Sequence, residues 1–293
     1  MLLIAGTVPD DNLPLTFGNA VIENNKIVIN SKKIRISQGS STMISAVIKT
    51  LKYYRQSPPN ILIAGDIGSG NGSKLIYNYL IDNLPKLSPN ILALHYILPI
   101  MSLMKKVVES AEKCNEKPIL IADAGSMYTA KSAKLAKKFD LFTPDLGELA
   151  FLADEKATHP AYMKNYLFEM DIDKIPYLIE ESYSHKNSPN NIIVKGEKDY
   201  IVNKGKIISI IDDPIIPELE AIGGTGDTLT GIVAALIYIG LDIKDAAIIA
   251  SKANRMAGKL STLTPASKIA EIINKLPDVY EKYMCKWSGI CCR

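Results

Sequence analysis

Short, continuously apolar runs alternate along the chain with longer segments whose apolar residues recur every three or four positions. The apolar runs occupy residues 61–64, 91–97 and 119–122. Runs of this length are typical of strands buried on both faces of a parallel sheet. Residues 40–54 and 101–113 have the helical spacing instead. This alternation predicts an α/β fold, in which helices cover both faces of a mostly parallel central sheet.

The first 39 residues depart from this alternation. Residues 2–5 form one apolar run, and residues 20–29 alternate on either side of the turn-forming sequence Glu-Asn-Asn-Lys. The arrangement predicts a strand followed by a β-hairpin. Residues 1–39 are therefore expected to form a small β element that precedes the first helix.

Two later segments also interrupt the pattern. Residues 157–188 are polar and rich in aromatic side chains, and we interpret them as an insertion or a lid. Residues 284–293 contain three of the four cysteines, at spacings that match no standard zinc site. A tail outside the folded core is therefore favoured over a metal site. Residues 1–283 are expected to form a single domain.

Composition narrows the functional class. Of the 293 residues, 47% are hydrophobic and 22% are charged, which is ordinary for a globular protein with a sizeable core. The formal net charge of +3 is too small to indicate a nucleic acid or a membrane as a partner. The first residues contain no basic segment, and no apolar run reaches the roughly 18 residues of a membrane span. These features predict a cytoplasmic protein.

The strongest local signal is the sequence Gly-Gly-Thr-Gly-Asp at residues 223–227. Three glycines in four positions allow a tight turn and a close approach of the backbone to a ligand. An apolar, helix-like stretch follows, so the turn is expected to present free N–H groups to a phosphate at a helix N-terminus. Asp227 would then face a substrate hydroxyl; a helix cap is the alternative role. The predicted phosphate site consists of Gly223, Gly224, Thr225 and Gly226.

Two further loops follow apolar strands and contain acidic residues. In open α/β sheets, ligands bind beyond the carboxyl ends of the strands, so these loops are candidates for the wall of a substrate site. The alternatives are that the glycines serve only the strand-to-helix geometry and that the acid after the later strand caps a turn. His95, inside an apolar run, is interpreted as a core histidine. The candidate substrate or loop residues here are Gly65, Asp66, Gly68 and Asp123.

The turn at residues 223–227 and the helix after it resemble the signature of ribokinase-like enzymes, in particular the ATP- or ADP-dependent NAD(P)H-hydrate dehydratases. The resemblance extends over roughly residues 60–280. It implies a ribokinase-like three-layer α/β sandwich, an anion hole made by the glycines, and Asp227 as the catalytic base. Asp123 resembles the second aspartate of the Asp-Ala-Asp-Ala stretch of this family.

A second match is Thr-Pro-Asp-Leu-Gly-Glu at residues 143–148. It is similar to Thr-Pro-His-Pro-Gly-Glu of the dehydratases, although Asp145 and Leu146 replace the family's His-Pro. The resemblance implies that Glu148 binds Mg²⁺, directly or through water, with Asp145 in the same loop. The alternative for Glu148 is an acid in the first turn of a helix, where it interacts favourably with the helix dipole.

The end of a later strand also matches the order of elements in the family. Lys195 and Gly196 follow the apolar residues 192–194 and precede a predicted hairpin. The resemblance implies that both residues bind the nucleotide. A solvated lysine at a strand end is an equal alternative for Lys195.

The function that the resemblance implies is the nucleotide-dependent dehydration of hydrated NADH or NADPH. ATP or ADP would phosphorylate the hydroxyl of the hydrate, with Mg²⁺ as a cofactor, and phosphate would then be eliminated. A kinase for a small alcohol, such as a vitamin precursor or a sugar, is the first alternative. A non-catalytic nucleotide-binding relative is the second. The choice between ATP and ADP and the assembly into a homo-oligomer stay open.

Overall fold

The computed structural model describes residues 1–159, 174–264 and 266–289, and the strands of these segments form one eleven-stranded sheet. The strands are β1 (Leu2–Val8), β2 (Thr16–Glu23), β3 (Lys26–Ile29), β4 (Lys32–Arg35), β5 (Asn60–Gly65), β6 (Ile91–His95), β7 (Ile119–Asp123), β8 (Leu141–Phe142), β9 (Asn191–Val194), β10 (Asp199–Asn203) and β11 (Lys206–Ile211).

Helices connect most of the central strands. They are α1 (Ser40–Tyr53), α2 (Asn71–Leu87), α3 (Met101–Ala111), α4 (Ala124–Ser132), α5 (Leu146–Ala153), α6 (Ile175–Ser184), α7 (Glu218–Ala221), α8 (Thr225–Tyr238), α9 (Ile243–Leu260), α10 (Ile269–Asn274), α11 (Leu276–Val279) and α12 (Cys285–Ser288). Each helix in the described part of the chain is either too short or too polar to cross a bilayer.

Six strands in the middle of the sheet run parallel, in the order β9, β8, β7, β6, β1 and β5. β10 and β11 extend the sheet antiparallel on one side, and β2, β3 and β4 do so on the other. The α/β prediction with a mostly parallel central sheet is thereby confirmed. The carboxyl ends of the six parallel strands all lie at one edge, which is where open sheets of this kind bind ligands.

Two hydrophobic cores lie on opposite faces of the sheet. Along β1, Leu2 and Ile4 pack into the core that contains α1, α8 and α9. Leu3 and Ala5 point the other way, into the core that contains α2, α3 and α5. Because successive side chains of a strand alternate between faces, one continuous apolar run supplies both cores. The result is the expected three-layer arrangement of helices, sheet and helices.

The first 39 residues are part of the main sheet rather than an element beside it. β1 lies between β5 and β6 and is buried along its whole length. The predicted hairpin is confirmed as β2 and β3, which pair antiparallel around a two-residue turn at Asn24 and Asn25. β2 also pairs with β5, so the hairpin extends the sheet instead of forming a separate layer.

The segments expected to interrupt the pattern are partly described. Within residues 157–188, α6 buries Ile175, Leu178 and Ile179 in the second core, while residues 160–173 lie outside the described residues. The expected tail begins inside a helical stretch, because α12 continues to Ser288 and Met284 is buried in the first core. Residues 290–293 lie outside the described residues.

Helices α1 and α8 approach each other closely at Gly231. A Cβ atom at this position would lie 2.4 Å from the carbonyl oxygen of Met43 and 3.0 Å from Cβ of Ala46. The first distance is far inside van der Waals contact, so only glycine allows the two helices to pack at this separation. The contact matters for the site described below, because that site lies where the N-termini of α1 and α8 meet.

Substitution Gly231→Ala should lower the free energy of unfolding by about 1–3 kcal/mol, the usual cost of overpacking a tight core. The physical reason is that the new methyl group meets a backbone carbonyl, which can move only with its helix. Equilibrium denaturation in urea measures this change.

Gly258→Ala in α9 is the matched control. Its Cβ atom would approach only the side chain of Leu219, at 2.8–3.1 Å, and that side chain can rotate away. The gain of about 0.5–1 kcal/mol from replacing glycine inside a helix should offset much of this clash. A Gly231 variant as stable as the Gly258 variant would contradict the close packing of α1 and α8.

Candidate active site

Two adjacent strands end in a histidine and an aspartate that face each other in register. His95 ends β6, Asp123 ends β7, and the two residues are paired across the sheet. The residue after each of them, Tyr96 and Ala124, has a positive φ, of 53° and 51° respectively. Non-glycine residues adopt this conformation rarely and at an energetic cost, and such residues cluster at functional sites. The backbone therefore turns sharply at the same level of both strands.

The glycine-rich turn leads into α8 as predicted. Gly224 has a φ of 103° and is followed directly by the first helical residue, Thr225. The N–H groups of the first turn have no acceptor within the helix, and the helix dipole adds positive potential there. A Cβ atom at Gly226 would lie 3.4 Å from Nζ of Lys195, so the lysine lies against the turn. Backbone donors and one ammonium group together suit a phosphate.

Asp227 is in the first turn of α8, but its carboxylate is bound to other elements. The N–H of Gly39, just before α1, donates to Oδ2 at 2.6 Å. His95 Nε2 lies 3.1 Å from Oδ1. The side chain is 12% exposed and reaches the cavity described below. These partners distinguish Asp227 from a residue that merely caps its own helix.

Asp123 is a buried carboxylate with cationic and hydroxyl partners. Nζ of Lys195 lies 3.0 Å from Oδ1 and 2.9 Å from Oδ2, and the hydroxyl of Thr230 donates to Oδ2 at 2.7 Å. Burial works to raise the pKa of Asp123, but Lys195, His95 and Thr230 together outweigh it, so this pKa lies well below its usual range. Burial works to lower the pKa of Lys195, but the carboxylates of Asp123, Glu148 and Asp227 together raise it above its ordinary value.

His95 lies between the two carboxylates. Its Nε2 atom is 3.1 Å from Asp227 and 3.6 Å from Oδ2 of Asp123. Burial lowers the pKa of the imidazole, but the two neighbouring carboxylates together raise it more, to about 9. His95 is buried, as expected for a core histidine, yet it contacts the predicted base. Sequence reasoning missed this role; the available signal was its place at the end of an apolar strand.

The loop that contains Glu148 is closed by a reciprocal pair of hydrogen bonds. The N–H of Glu148 donates to Asp145 Oδ1 at 2.8 Å, and the N–H of Asp145 donates to Glu148 Oε2 at 2.9 Å. This is the capping box of α5. The hydroxyl of Tyr128 donates to Oε1 of Glu148. Burial and the negative charge of Asp123 raise the pKa of Glu148 to about 7, so negative charge accumulates at this wall.

These elements surround a cavity of about 910 Å³, large enough for a nucleotide and a second small molecule. The polar residues of its wall face a more apolar side formed by residues 215–217 and Leu219. Gly223 lies outside this cavity and lines a smaller neighbouring cleft. The predicted site residues that line the large cavity are Asp123, Asp145, Glu148, Lys195, Gly196, Gly224, Thr225, Gly226 and Asp227.

The loop at residues 65–72 is not brought into this cavity. Its acid, Asp66, accepts hydrogen bonds from the backbone N–H groups of Gly68, Gly70 and Ser73 at 2.9–3.0 Å. These bonds hold the pKa of Asp66 below its ordinary value against the effect of burial. Gly65, Asp66 and Gly68 are absent from the cavity wall. The carboxylate of Asp66 organises its own loop and the start of α2.

A buried ion pair that the sequence did not indicate supports the strand end that carries Lys195. Arg255 Nε lies 3.0 Å from Oδ2 of Asp199, and Arg255 also donates to the carbonyl oxygen of Gly196 at 2.9 Å. Both side chains are buried and line the cavity. Arg255 occurs in α9, where small apolar residues dominate the pattern, and nothing local pairs it with Asp199.

Comparison with known protein families shows which family this chain belongs to. A family model described as NAD(P)H-hydrate dehydratase matches residues 98–277. The chain is also 44% identical over 239 residues to the uncharacterized protein MJ1337 of Methanocaldococcus jannaschii, a match that covers 82% of this chain and 98% of that protein.

Solved structures share the fold at low sequence identity. The ADP/ATP-dependent NAD(P)H-hydrate dehydratase of Bacillus subtilis, co-crystallized with ATP and Mg²⁺, is 18% identical, with a TM-score of 0.54 and coverage of 96% of this chain and 90% of that chain. The pyridoxal kinase of Staphylococcus aureus in complex with AMP-PCP and pyridoxal is 14% identical, with a TM-score of 0.52 and coverage of 88% of each chain. Both comparisons confirm the ribokinase-like architecture.

Substitution Arg255→Met should lower the free energy of unfolding by about 3–5 kcal/mol, because it leaves the buried carboxylate of Asp199 without its charge partner. Burial already raises the pKa of Asp199 despite the nearby guanidinium. Urea denaturation measures the loss. Nucleotide affinity should fall as well, since Arg255 fixes the carbonyl of Gly196.

Lys244→Met is the matched control, because it breaks an exposed pair whose atoms are 3.8 Å apart. Exposed pairs contribute no more than about 1 kcal/mol. If both variants lost the same free energy of unfolding, the buried pair of Arg255 and Asp199 would contribute no more to stability than an exposed pair.

Proposed function

Because the chain belongs to the NAD(P)H-hydrate dehydratase family, we propose that it dehydrates hydrated NADH or NADPH with the consumption of ATP or ADP. The observation that carries this proposal is the placement of Asp227. Its carboxylate reaches the cavity at a helix N-terminus, where it lies beside backbone donors and near Lys195. A site that only bound phosphate would gain nothing from a negative charge at that point.

The nucleotide phosphates would bind at the start of α8. Thr225, Gly226 and their neighbours supply N–H groups for the transferred phosphoryl group, and Lys195 contributes positive charge from the adjacent strand end. Phosphoryl transfer depends mainly on positioning and on electrostatic stabilisation, which is what this wall of the cavity offers.

Asp227 acts as the base in the first step. Burial works to raise the pKa of its carboxyl, but the hydrogen bond and charge of His95 lower it below the ordinary value. The carboxylate is therefore ionised at neutral pH and accepts the proton of the hydrate hydroxyl. The hydroxyl oxygen forms a bond to the terminal phosphorus, and the bond from that phosphorus to its bridging oxygen breaks. ADP leaves if ATP was bound, and AMP leaves if ADP was bound.

The second step regenerates the reduced nicotinamide ring by eliminating phosphate. The lone pair of the ring nitrogen expels the new phosphate ester as inorganic phosphate, so the carbon–oxygen bond breaks. Loss of a proton from the neighbouring ring carbon restores the double bond. The products are NADH or NADPH, the shortened nucleotide and phosphate, and the reaction requires no oxidant or reductant.

The residues at the Glu148 wall fit a divalent cation. Carboxylate oxygens are the ligands that Mg²⁺ prefers, often with water between protein and metal. Burial, followed by the charge of Asp123, raises the pKa of Glu148, so a cation beside this carboxylate would favour its ionised form. Glu148 would hold Mg²⁺, with Asp145 beside it in the same loop. When bound, the ion neutralises charge on the nucleotide phosphates.

The direct test incubates the protein with hydrated NADH and with ATP or ADP. Recovery of the absorbance of reduced nicotinamide, in step with release of inorganic phosphate, is the expected result. Nucleotide consumption that leaves the hydrate unchanged and phosphorylates an added small alcohol would instead identify a ribokinase-like kinase. Nucleotide binding without consumption in either assay would overturn both enzymatic assignments.

Substitution Asp227→Asn should reduce turnover by at least about 10²-fold, the lower end of the usual contribution of a general base. The amide cannot accept the hydroxyl proton. Nucleotide affinity, measured by calorimetry, should stay within a few-fold of the wild type, because the backbone donors of α8 remain in place.

Asp242→Asn is the control for this prediction. Asp242 lies outside the cavity and accepts a hydrogen bond from the N–H of Lys244 at the start of α9. Asparagine can make the same bond. If the Asp227 variant turned over substrate at the wild-type rate, Asp227 would not be the general base, whatever the result for the Asp242 variant.

A further inference from the structure

We propose that His95 is a positioning residue that acts through Asp227: its charged imidazolium fixes the orientation of that carboxylate and keeps it ionised next to Asp123. The inference rests on the proposed role of Asp227 as base. It adds a residue that precedes the family match at residues 98–277 and that the sequence pattern assigned to the core.

Hydrogen-bond accounting around the ring supports the charged form. The hydroxyl of Ser40 lies 3.1 Å from Nδ1 and 3.3 Å from the backbone oxygen of His95. When it donates to the backbone oxygen, its own oxygen accepts from Nδ1. Nε2 faces only carboxylate oxygens, those of Asp227 and Asp123. With the Ser40 hydroxyl directed at the backbone oxygen, both ring nitrogens act as donors, which requires the protonated imidazole with its two N–H groups.

Four charged side chains lie at or near the ring. Two buried carboxylates, Asp123 from β7 and Asp227 from α8, meet two cations, Lys195 from the end of β9 and His95 from β6. Two further titratable groups lie nearby in the described part of the chain: Glu148, whose charge acts on Asp123 and Lys195, and Tyr96, whose ring centroid is 4.6 Å from that of His95. Burial and nearby carboxylates raise the pKa of Tyr96 to about 12, so it contributes no charge near neutral pH.

Loss of the imidazolium would leave Asp227 in an environment that opposes ionisation. Burial and the charge of Asp123 both raise the pKa of Asp227, while Lys195 is the smaller opposing influence. A base in that state would be partly protonated in the weakly acidic range. The Gly39 N–H would also become the single described hydrogen bond to the carboxylate, which would then be less well fixed.

The same three side chains could instead ligate a divalent cation, since ligand atoms of His95, Asp123 and Asp227 all lie within 4.8 Å of one another. A metal needs an unprotonated ring nitrogen at Nε2. The charged imidazolium and a metal at this position are therefore mutually exclusive, which makes the metal a defined outcome of the test.

The first measurement does not depend on enzymatic activity. The chain contains three histidines, so ¹⁵N-labelled histidine gives a simple two-bond ¹H–¹⁵N spectrum of the rings. His95 is assigned by elimination with His159→Gln and His185→Gln, which avoids any change inside the site. The expected result is that both ring nitrogens of His95 remain protonated at pH 7.5. A neutral ring at that pH, or zinc binding that shifts the His95 signals, overturns the proposal.

The second measurement compares His95→Gln with the wild type in the pH profile of kcat/KM. Glutamine keeps a neutral donor near Asp227 and removes the charge, so the acid limb should move up by about one pH unit or more. His185→Gln is the matched control and should leave the limb in place. A His95 variant that folds normally with an unshifted limb overturns the proposal. Absence of all turnover in the wild type would refute the proposed function, while the spectra would still decide the charge of His95.

Discussion

Two carboxylates share a buried position at the edge of this sheet, and the rest of the site is arranged around that constraint. Asp123 and Asp227 would repel each other and lose hydration if they stood alone. Lys195 and His95 offset this cost from two other strand ends, at 2.9 Å and 3.1 Å. The arrangement depends on strand register, because a shift of one residue would turn each side chain to the opposite face of the sheet.

Much of the fold follows from local pattern, whereas strand order does not. The apolar runs identified β5, β6 and β7, and the Asn-Asn turn identified the hairpin of β2 and β3. β1 was recognised as a strand, yet its place between β5 and β6 is set by pairing with residues some 60–90 positions away. Periodicity contains no information on such partners, so the sequence predicted a small β element in residues 1–39 but not the place of β1 among the parallel strands.

The site divides in the same way. Short motifs of a few residues predicted two parts of the site, the turn at residues 223–227 and the loop with Glu148. Both line the cavity. His95 and Arg255 have partners on distant elements, and Asp227 is 132 positions from His95. Asp66 shows a motif that predicted the wrong role. An acidic residue after a buried strand has the same sequence pattern whether it binds a ligand or accepts hydrogen bonds from its own loop, as Asp66 does.

The hydrogen bond from Gly39 to Asp227 has a consequence for how this protein is divided into modules. The family match begins at residue 98, but both described partners of the Asp227 carboxylate, Gly39 and His95, lie upstream of it. The matched segment therefore contains Asp227, and the two residues that hold its carboxylate come from the preceding part of the chain. A chimaera joined at that boundary would keep Asp227 and replace both residues that hold its carboxylate, so the two parts of the chain have to be exchanged together.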